Sequence, residues 1–445
     1  MSPPRTHRLL EAPVLPTLAR LSAPGALLVV FQAAVSITDT HFIGRLGTGP
    51  LAGLALVFPL VMLLQMTSAG AMGGGVSSAV ARAQGAGNEP QARALVVHAV
   101  VIALGMGLAF SALLLVLGRP VYRLLGGEGE VLGHALAYSN VLFSGAVLVW
   151  LANTFASVLR GTGNTLVPAL ALAGAAFVHV PLSATLVLGL GPFPQLGIAG
   201  AGVAYLVSFS CAALATGSYI WRSPLRPQRV ELRLQAQLFR EILRVGAISS
   251  VSAVLTVLTA VVLTGLVGRF GAAALAGYGV GVRLEMLQIP LVFAIGQALV
   301  ALVGVNIGAG RAARAKQIAW TGAALAACVA GVIGLAAALV PHAWVLLFSS
   351  DPAVLSTGSL YLRIVGPFYP VMGFGIALYF ASQGVGRVMV PMAAGAARLA
   401  VVLAAGLALG AAGAPLGALF AVIALGMLVY GALIGWSIFK ADWSR

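Results

Sequence analysis

About twelve long apolar runs, near 17–44, 50–81, 94–117, 133–158, 166–189, 197–221, 242–267, 273–305, 317–340, 354–381, 389–410 and 414–438, follow one another with only short polar or Gly/Pro-rich breaks. Each is long enough to cross a bilayer core of about 30 Å. In lipid every backbone N–H and C=O must be satisfied within the chain, which leaves helices and closed barrels as the only spanning structures. The runs carry Leu, Ala, Val and Gly throughout and lack the two-residue alternation of barrel strands, so they read as helices. With 60% hydrophobic and 8% charged residues, the chain is excluded from the ordinary soluble domains. The expected fold class is an all-α integral membrane protein with twelve transmembrane helices.

The hydrophobic pattern is stated twice. Ile43-Gly44-Arg45-Leu46-Gly47 returns as Val267-Gly268-Arg269-Phe270-Gly271, and Ala52-Gly53 as Ala276-Gly277, at an offset of 224 residues. Gly85-Ala86-Gly87 matches Gly308-Ala309-Gly310, and Gly161-x-Gly163 with Pro168 matches Gly384-x-Gly386 with Pro391, at an offset of 223. Such steady spacing indicates a duplicated bundle. The longest polar stretch, Arg222 to Arg244, divides the chain into an N-terminal lobe (1–221), a cytoplasmic linker (222–240) and a C-terminal lobe (241–445), with six spans in each lobe. Because six is even, both repeats enter the membrane from the same side, giving pseudo-symmetric parallel repeats with a cavity expected between them. Within the polar stretch, Val230–Arg244 mixes Arg, Glu and Gln with Leu and Phe, and is expected to form an amphipathic surface helix.

The formal charge of +15 is sorted by side. Chain ends and loops after even-numbered spans hold 19 Lys and Arg, among them Arg5, Arg398 and Arg445, against 5 on the opposite side and Arg283 within a span. This bias places both termini in the cytoplasm, and the bilayer rather than nucleic acid is the expected partner. Cys211 and Cys328 sit singly in apolar segments and suggest neither a disulfide nor a metal motif. Met1–Arg20 has four Pro, several charges and no isolated apolar core, so no cleavable signal peptide is expected.

Only ten carboxylates occur, and two of them, Asp39 and Glu285, fall within apolar segments. Glu231, Glu241 and the other six fall in tails, loops or span edges, where solvated roles suffice. The repeat offset pairs Asp39 with Leu263, so the acid is missing from its twin. Ionisable groups inside spans are costly and mark ion or substrate pathways. Burial disfavours a charged carboxylate, which suits Asp39 to binding and releasing a proton. On a helix Ser36 and Gln32 share its face, although water, Thr40 or Arg45 would also satisfy an acid near the span end. For Glu285 the alternatives are a structural ion pair with an arginine of another span and a second coupling or cation site. His179, beside Val180-Pro181, is read as a neutral histidine bonded to a backbone carbonyl or as a proton relay. Asn140, Asn153 and Tyr205 either line a cavity or join helices by hydrogen bonds. Gly70 and Gly73–Gly75 either pack helices closely or form a hinge, and Pro59, Pro181, Pro290, Pro367 and Pro370 are candidate kinks.

Catalytic motifs are lacking. Lysine occurs only at 316 and 440, so no Gly-rich phosphate loop ends in Gly-Lys-Ser/Thr, and no zinc-protease motif is present. No enzyme activity, metal or cofactor is expected, and transport through such a bundle must draw on an ion gradient.

The Ile-Gly-Arg-Leu-Gly block after the first span, the Gly-Ala-Gly-Asn turn at 85–88 and Leu159-Arg160-Gly161-Thr162-Gly163-Asn164 resemble the MATE (multidrug and toxic compound extrusion) family over nearly the whole chain, nearest to its proton-coupled DinF-like branch. The resemblance implies export of organic cations or other lipophilic compounds in exchange for H⁺ or Na⁺, from the inner membrane, through a V-shaped cavity that opens alternately to each side. A monomer is expected. The family's first-span acid falls on Asp39. Two departures stand out: Val180 occupies the place of a second acid before the fifth-span proline, and spans seven and ten carry no acid, which lowers the Na⁺ reading. Gln32, Ser36, Asn153, His179, Tyr205 and Glu285 are the remaining cavity candidates. The rivals are a Na⁺-coupled exporter and a lipid-linked oligosaccharide flippase. Basic residues would line the cavity of such a flippase, whereas Arg283 is the one strongly intramembrane cation in this reading. A major-facilitator transporter lacks its Asp-Arg-x-Gly-Arg signature in the 85–93 loop, and a polytopic enzyme would need clustered acids or histidines.

Overall fold

The computed structural model describes residues 5–443, without the side chains of Arg5 and Val30. Arg445 and the side chain of Arg5, both counted in the charge bias, lie outside the described residues. Among those described, secondary structure is entirely helical, and eleven helices are long and apolar enough to cross a membrane. A pair bent by 51° brings the number to twelve. That pair is the fourth span, broken at Gly145.

One compact unit comprises Ala23–Gly246, and the other joins the described residues through Ser22 to those from Ala247 onward. The divisions fall inside two continuous helices, so the first and seventh spans each begin in one unit and end in the other. In chain order, α1 (Arg5–Glu11) precedes the first span, α2 (Val14–Gly44). The second span is α3 (Thr48–Gln65), a π-helical stretch at Met66–Met72 and α4 (Gly73–Gly85). Then come α5 (Glu89–Leu124), the bent pair α6 (Gly129–Ser144) and α7 (Ala146–Gly161), α8 (Leu166–Leu188) and α9 (Ile198–Trp221). The second half repeats this order with α10 (Ala236–Gly268), α11 (Ala272–Gly308), α12 (Ala312–Leu339) and the short α13 (Pro341–Val345). Its tenth span is α14 (Pro352–Val365), a 3₁₀ turn at Gly366–Phe368 and α15 (Tyr369–Val385), followed by α16 (Met389–Ala411) and α17 (Leu416–Lys440).

The repeat is visible in the backbone. Gly87 and Gly310 end their helices at φ +69° and +72°, and Gly163 and Gly386 theirs at +74° and +86°, a region that side-chain-bearing residues avoid. Beside them, Gly161 and Gly384 let helices approach: a Cβ would fall 2.6 Å from Ser77 O at the first and 2.9 Å from Val300 O at the second. The second-span glycines also pack closely, since a Cβ on Gly75 would lie 2.7 Å from Ile242 O. The π-helical stretch precedes them, a local widening common at functional sites. Pro59, Pro181 and Pro290 lie inside helices, whereas Pro367 lies within the 3₁₀ break of the tenth span and Pro370 in the first turn of α15 after it. Trp150, Phe143 and Tyr122 are buried at the centre of the first unit, and Tyr361, Tyr369, Phe380 and Phe420 in the second.

The expected surface helix over Val230–Arg244 does not form. A 3₁₀ turn at Arg229–Leu232 is followed by α10, which absorbs the rest of the segment into the seventh span. The reason is that its polar groups find partners on α5. Arg93 Nε donates to Glu231 Oε1 at 2.7 Å, and Gln91 Nε2 reaches Glu241 at 3.2 Å. His98 Nε2 accepts the Gln235 backbone N–H at 2.8 Å, while its Nδ1 donates to Ala94 O at 2.7 Å. Glu231 is therefore buried and ion-paired rather than solvated. In the other unit the chain start is fastened in a corresponding way: Asn306 donates to Leu9 O at 3.2 Å, Arg311 to Leu10 O at 3.0 Å and Arg314 to Ala12 O at 2.5 Å.

Candidate functional site

Asp39 sits five residues before the end of α2, and α8 supplies its partners. His179 Nε2 lies 2.8 Å from Oδ2, and Ser183 Oγ donates to Oδ1 at 2.6 Å. His179 and Ser183 are four residues apart, so one face of α8 presents both donors. An ionised carboxylate carries no hydrogen and accepts both bonds, with the proton on His179 Nε2. The histidine side chain is 2% exposed and the acid 14%, so the acid stays reachable while its partner is enclosed. This corrects the backbone-carbonyl reading of His179. It also replaces Thr40 and Arg45 as partners of Asp39: Thr40 donates instead to Ser36 O at 2.8 Å. Ser36 and Gln32 are exposed, and neither is among the bonded partners of Asp39. Asn140 is exposed too.

A polar thread continues from this pair. The rings of His179 and Tyr205 meet edge-on with centroids 6.4 Å apart. Gln65 Nε2 donates to the Tyr205 hydroxyl at 2.5 Å, and Asn153 Nδ2 donates to Gln65 Oε1 at 3.0 Å and to Ser68 Oγ at 2.8 Å. Ser157 Oγ bonds back to Asn153 O at 2.7 Å and accepts from Arg160 Nη2 at 2.8 Å. Tyr138 and Tyr205 both lie within electrostatic reach of Asp39. Three of the predicted residues, Asp39, His179 and Tyr205, thus share one site, and Asn153 joins it through Gln65.

Glu285 lies in the other unit. It accepts a hydrogen bond from the Tyr361 hydroxyl, and among the described residues no ion pair involves it. The expected arginine partner stays at longer range: Arg398 lies within electrostatic reach of Glu285 without touching it. Arg283 instead sits over the Phe348 ring, 5.0 Å from its centroid. Arg398, counted above with the loop cations, is not a loop residue. It is the tenth residue of α16, so Arg283 is not the one cation inside a span. Among the described residues no group of three or more His, Cys, Asp or Glu side chains is arranged to hold a metal.

The sequence reading missed Ser183, Gln65, Ser68 and Arg398. A signal existed for part of this set. Gln65 and Gln288, and Tyr138 and Tyr361, recur at the repeat offset of 223, so these polar positions are kept in both halves.

Comparison with known proteins agrees with this architecture. The chain is 28% identical to a FAD transporter of Shewanella oneidensis over 379 residues, covering 84% of this chain and 83% of the relative. It is 27% identical to a probable multidrug resistance protein, NorM, of Thermotoga maritima, covering 84% and 81%. A MOP superfamily transporter from Pyrococcus furiosus superposes with a TM-score of 0.89 over 99% of this chain and all of that one, at 22% identity, which establishes the shared fold. The MatE family model matches residues 24–185 and again 249–409, once in each half. The chain therefore belongs to the MatE family of multi-pass membrane transporters and is not an enzyme.

Proposed function

We propose that the protein is a secondary active exporter of organic cations or other lipophilic compounds, driven by H⁺ exchange at Asp39 in the manner of the DinF-like branch. The observation that carries this reading is the carboxylate of Asp39 held by His179 and Ser183 in a half-buried setting. Protonation removes the charge that both donors satisfy and leaves one of them to find another acceptor. The state of the proton is thereby linked to the arrangement of α2 against α8. A proton shifts a conformational equilibrium only through different affinity for the two states, and these two bonds supply such a difference. In the ionised form Asp39 favours a cationic cargo. Protonation from outside releases the cargo and returns the transporter inward.

The working halves in this scheme are 1–221 and 241–445, joined by 222–240, in a monomer of the inner membrane with both termini cytoplasmic. Tyr205, Gln65 and Asn153 extend the same polar surface toward the π-helical stretch of the second span, where a cargo's polar groups would bind. Gln32 and Ser36, exposed one and two turns before Asp39, are further cavity positions in this scheme. The lack of any Asp or Glu between Arg244 and Gly268 in span seven and between Val354 and Ser382 in span ten supports H⁺ over Na⁺; the one acid of α10, Glu241, lies near its start and is bonded to Gln91. The test is ethidium accumulation in cells expressing wild type or Asp39→Asn at matched levels. Wild type keeps the dye out and the variant does not; equal exclusion by both overturns the assignment of Asp39.

A further inference from the structure

Arg398 is an unusual cation. It stands about 14 Å along α16 from its start, near the middle of a 23-residue span, where a guanidinium is costly unless paired. Its pairing is poor. Nη1 approaches the Met372 sulfur at 3.6 Å, and Nε is buried without an acceptor. No carboxylate lies within 4.0 Å among the described residues. Glu285, the acid within reach, has one oxygen engaged by Tyr361. The stem of Arg398 rests against Gly426, where a Cβ would fall 3.3 Å from its Cγ. Tyr278 and Tyr430 stand within electrostatic reach, and the residue is half-buried rather than sealed. A guanidinium carries five donors in a planar fork that matches a carboxylate. At Arg398 the Nε edge of that fork meets no acceptor and Nη1 meets only a sulfur.

We propose that Arg398 is an anion-recognition subsite within the C-terminal lobe, binding the carboxylate of a small organic cargo between α15, α16 and α17. The site extends the cargo range from cations to zwitterions. It rests on the exporter reading for the identity of its ligand as cargo, but binding at Arg398 is measurable without transport.

The test uses purified full-length protein in detergent and two dyes that differ by one ester: rhodamine 110, with a free carboxylate, and rhodamine 123, its methyl ester. Fluorescence anisotropy gives both affinities. Wild type binds rhodamine 110 at least as tightly as rhodamine 123; weaker binding overturns the proposal without recourse to any variant. Arg398→Gln weakens rhodamine 110 by about tenfold, the equivalent of one charge-assisted contact, and leaves rhodamine 123 within about twofold, which also reports that the variant is folded. Arg398→Lys keeps the charge without the fork and falls between the two. Equal loss for both dyes, or no loss for either, overturns the site. Competition of phosphatidylglycerol with rhodamine 110 would assign the subsite to a lipid headgroup and overturn its role in cargo binding. If wild type binds both dyes but moves neither under a proton gradient, the exporter reading fails while the subsite stands.

Discussion

The two lobes share a framework and differ in their charges. Each has six spans, a left-handed glycine turn after its second span, a broken fourth span and the same polar pair, Gln65 and Tyr138 in one and Gln288 and Tyr361 in the other. In the N-terminal lobe the acid is on the first span and its basic partner, His179, on the fifth, in direct contact. In the C-terminal lobe the acid has moved to the second span of the repeat. The basic residue, Arg398, is again on the fifth, but the two stay apart. Duplication preserved the turns and helix contacts that packing requires, while the polar groups were free to diverge. A histidine in contact with an acid can share and pass a proton, whereas a guanidinium never gives one up. In the proposed scheme, therefore, the N-terminal site serves proton exchange and the C-terminal site fixed-charge recognition.

That contrast can be broken by experiment. The largest expected effect is Asp39→Asn, which lowers proton-driven dye efflux by about 100-fold or more and flattens its dependence on pH, because the exchanging proton loses its carrier. Glu285→Gln costs about threefold or less and keeps the pH profile, since Tyr361 can still donate to the amide oxygen. Equal losses at both acids would erase the distinction between the lobes.

A second comparison concerns the two fastenings. Arg93 and Glu231 are 15% and 9% exposed, so Arg93→Ala strands a buried carboxylate and costs about 3 kcal/mol, read as a fall of several degrees in the melting temperature of the detergent-solubilised protein. Arg311 and Glu11 are 43% and 51% exposed, and Glu11→Ala changes stability by less than about 0.5 kcal/mol. Within the Asp39 site the effects should be graded as well. His179→Ala lowers efflux about tenfold and Ser183→Ala about threefold, because the ring also fixes Tyr205 while the hydroxyl makes one bond. Reversal of that order, measured as initial efflux rates, would give the main role to the serine.

Much of the fold was legible in the sequence, because bilayer thickness and the repeat constrain span number and order so strongly. All twelve runs fall on helices or on the bent fourth pair. The site was legible where one residue carries the signal: Asp39 is conspicuous because charge inside a span is rare. Its partners were not, since nothing local in α2 names a histidine 140 residues away, and face-sharing pointed to Ser36 and Gln32 instead. Arg398 was missed because it was counted with the cytoplasmic loop cations, although it lies ten residues into α16. The Val230–Arg244 segment misled for another reason. Its amphipathic pattern suits a lipid surface and a protein surface equally, and tertiary partners on α5 decided between them.

The central claim is that Asp39 couples transport to protons. The direct test is dye efflux from vesicles reconstituted with wild type or Asp39→Asn, under proton and sodium gradients imposed separately. The account predicts efflux by wild type under the proton gradient alone, and none by the variant under either. Efflux driven by sodium alone, or proton-driven efflux by Asp39→Asn at the wild-type rate, would contradict it.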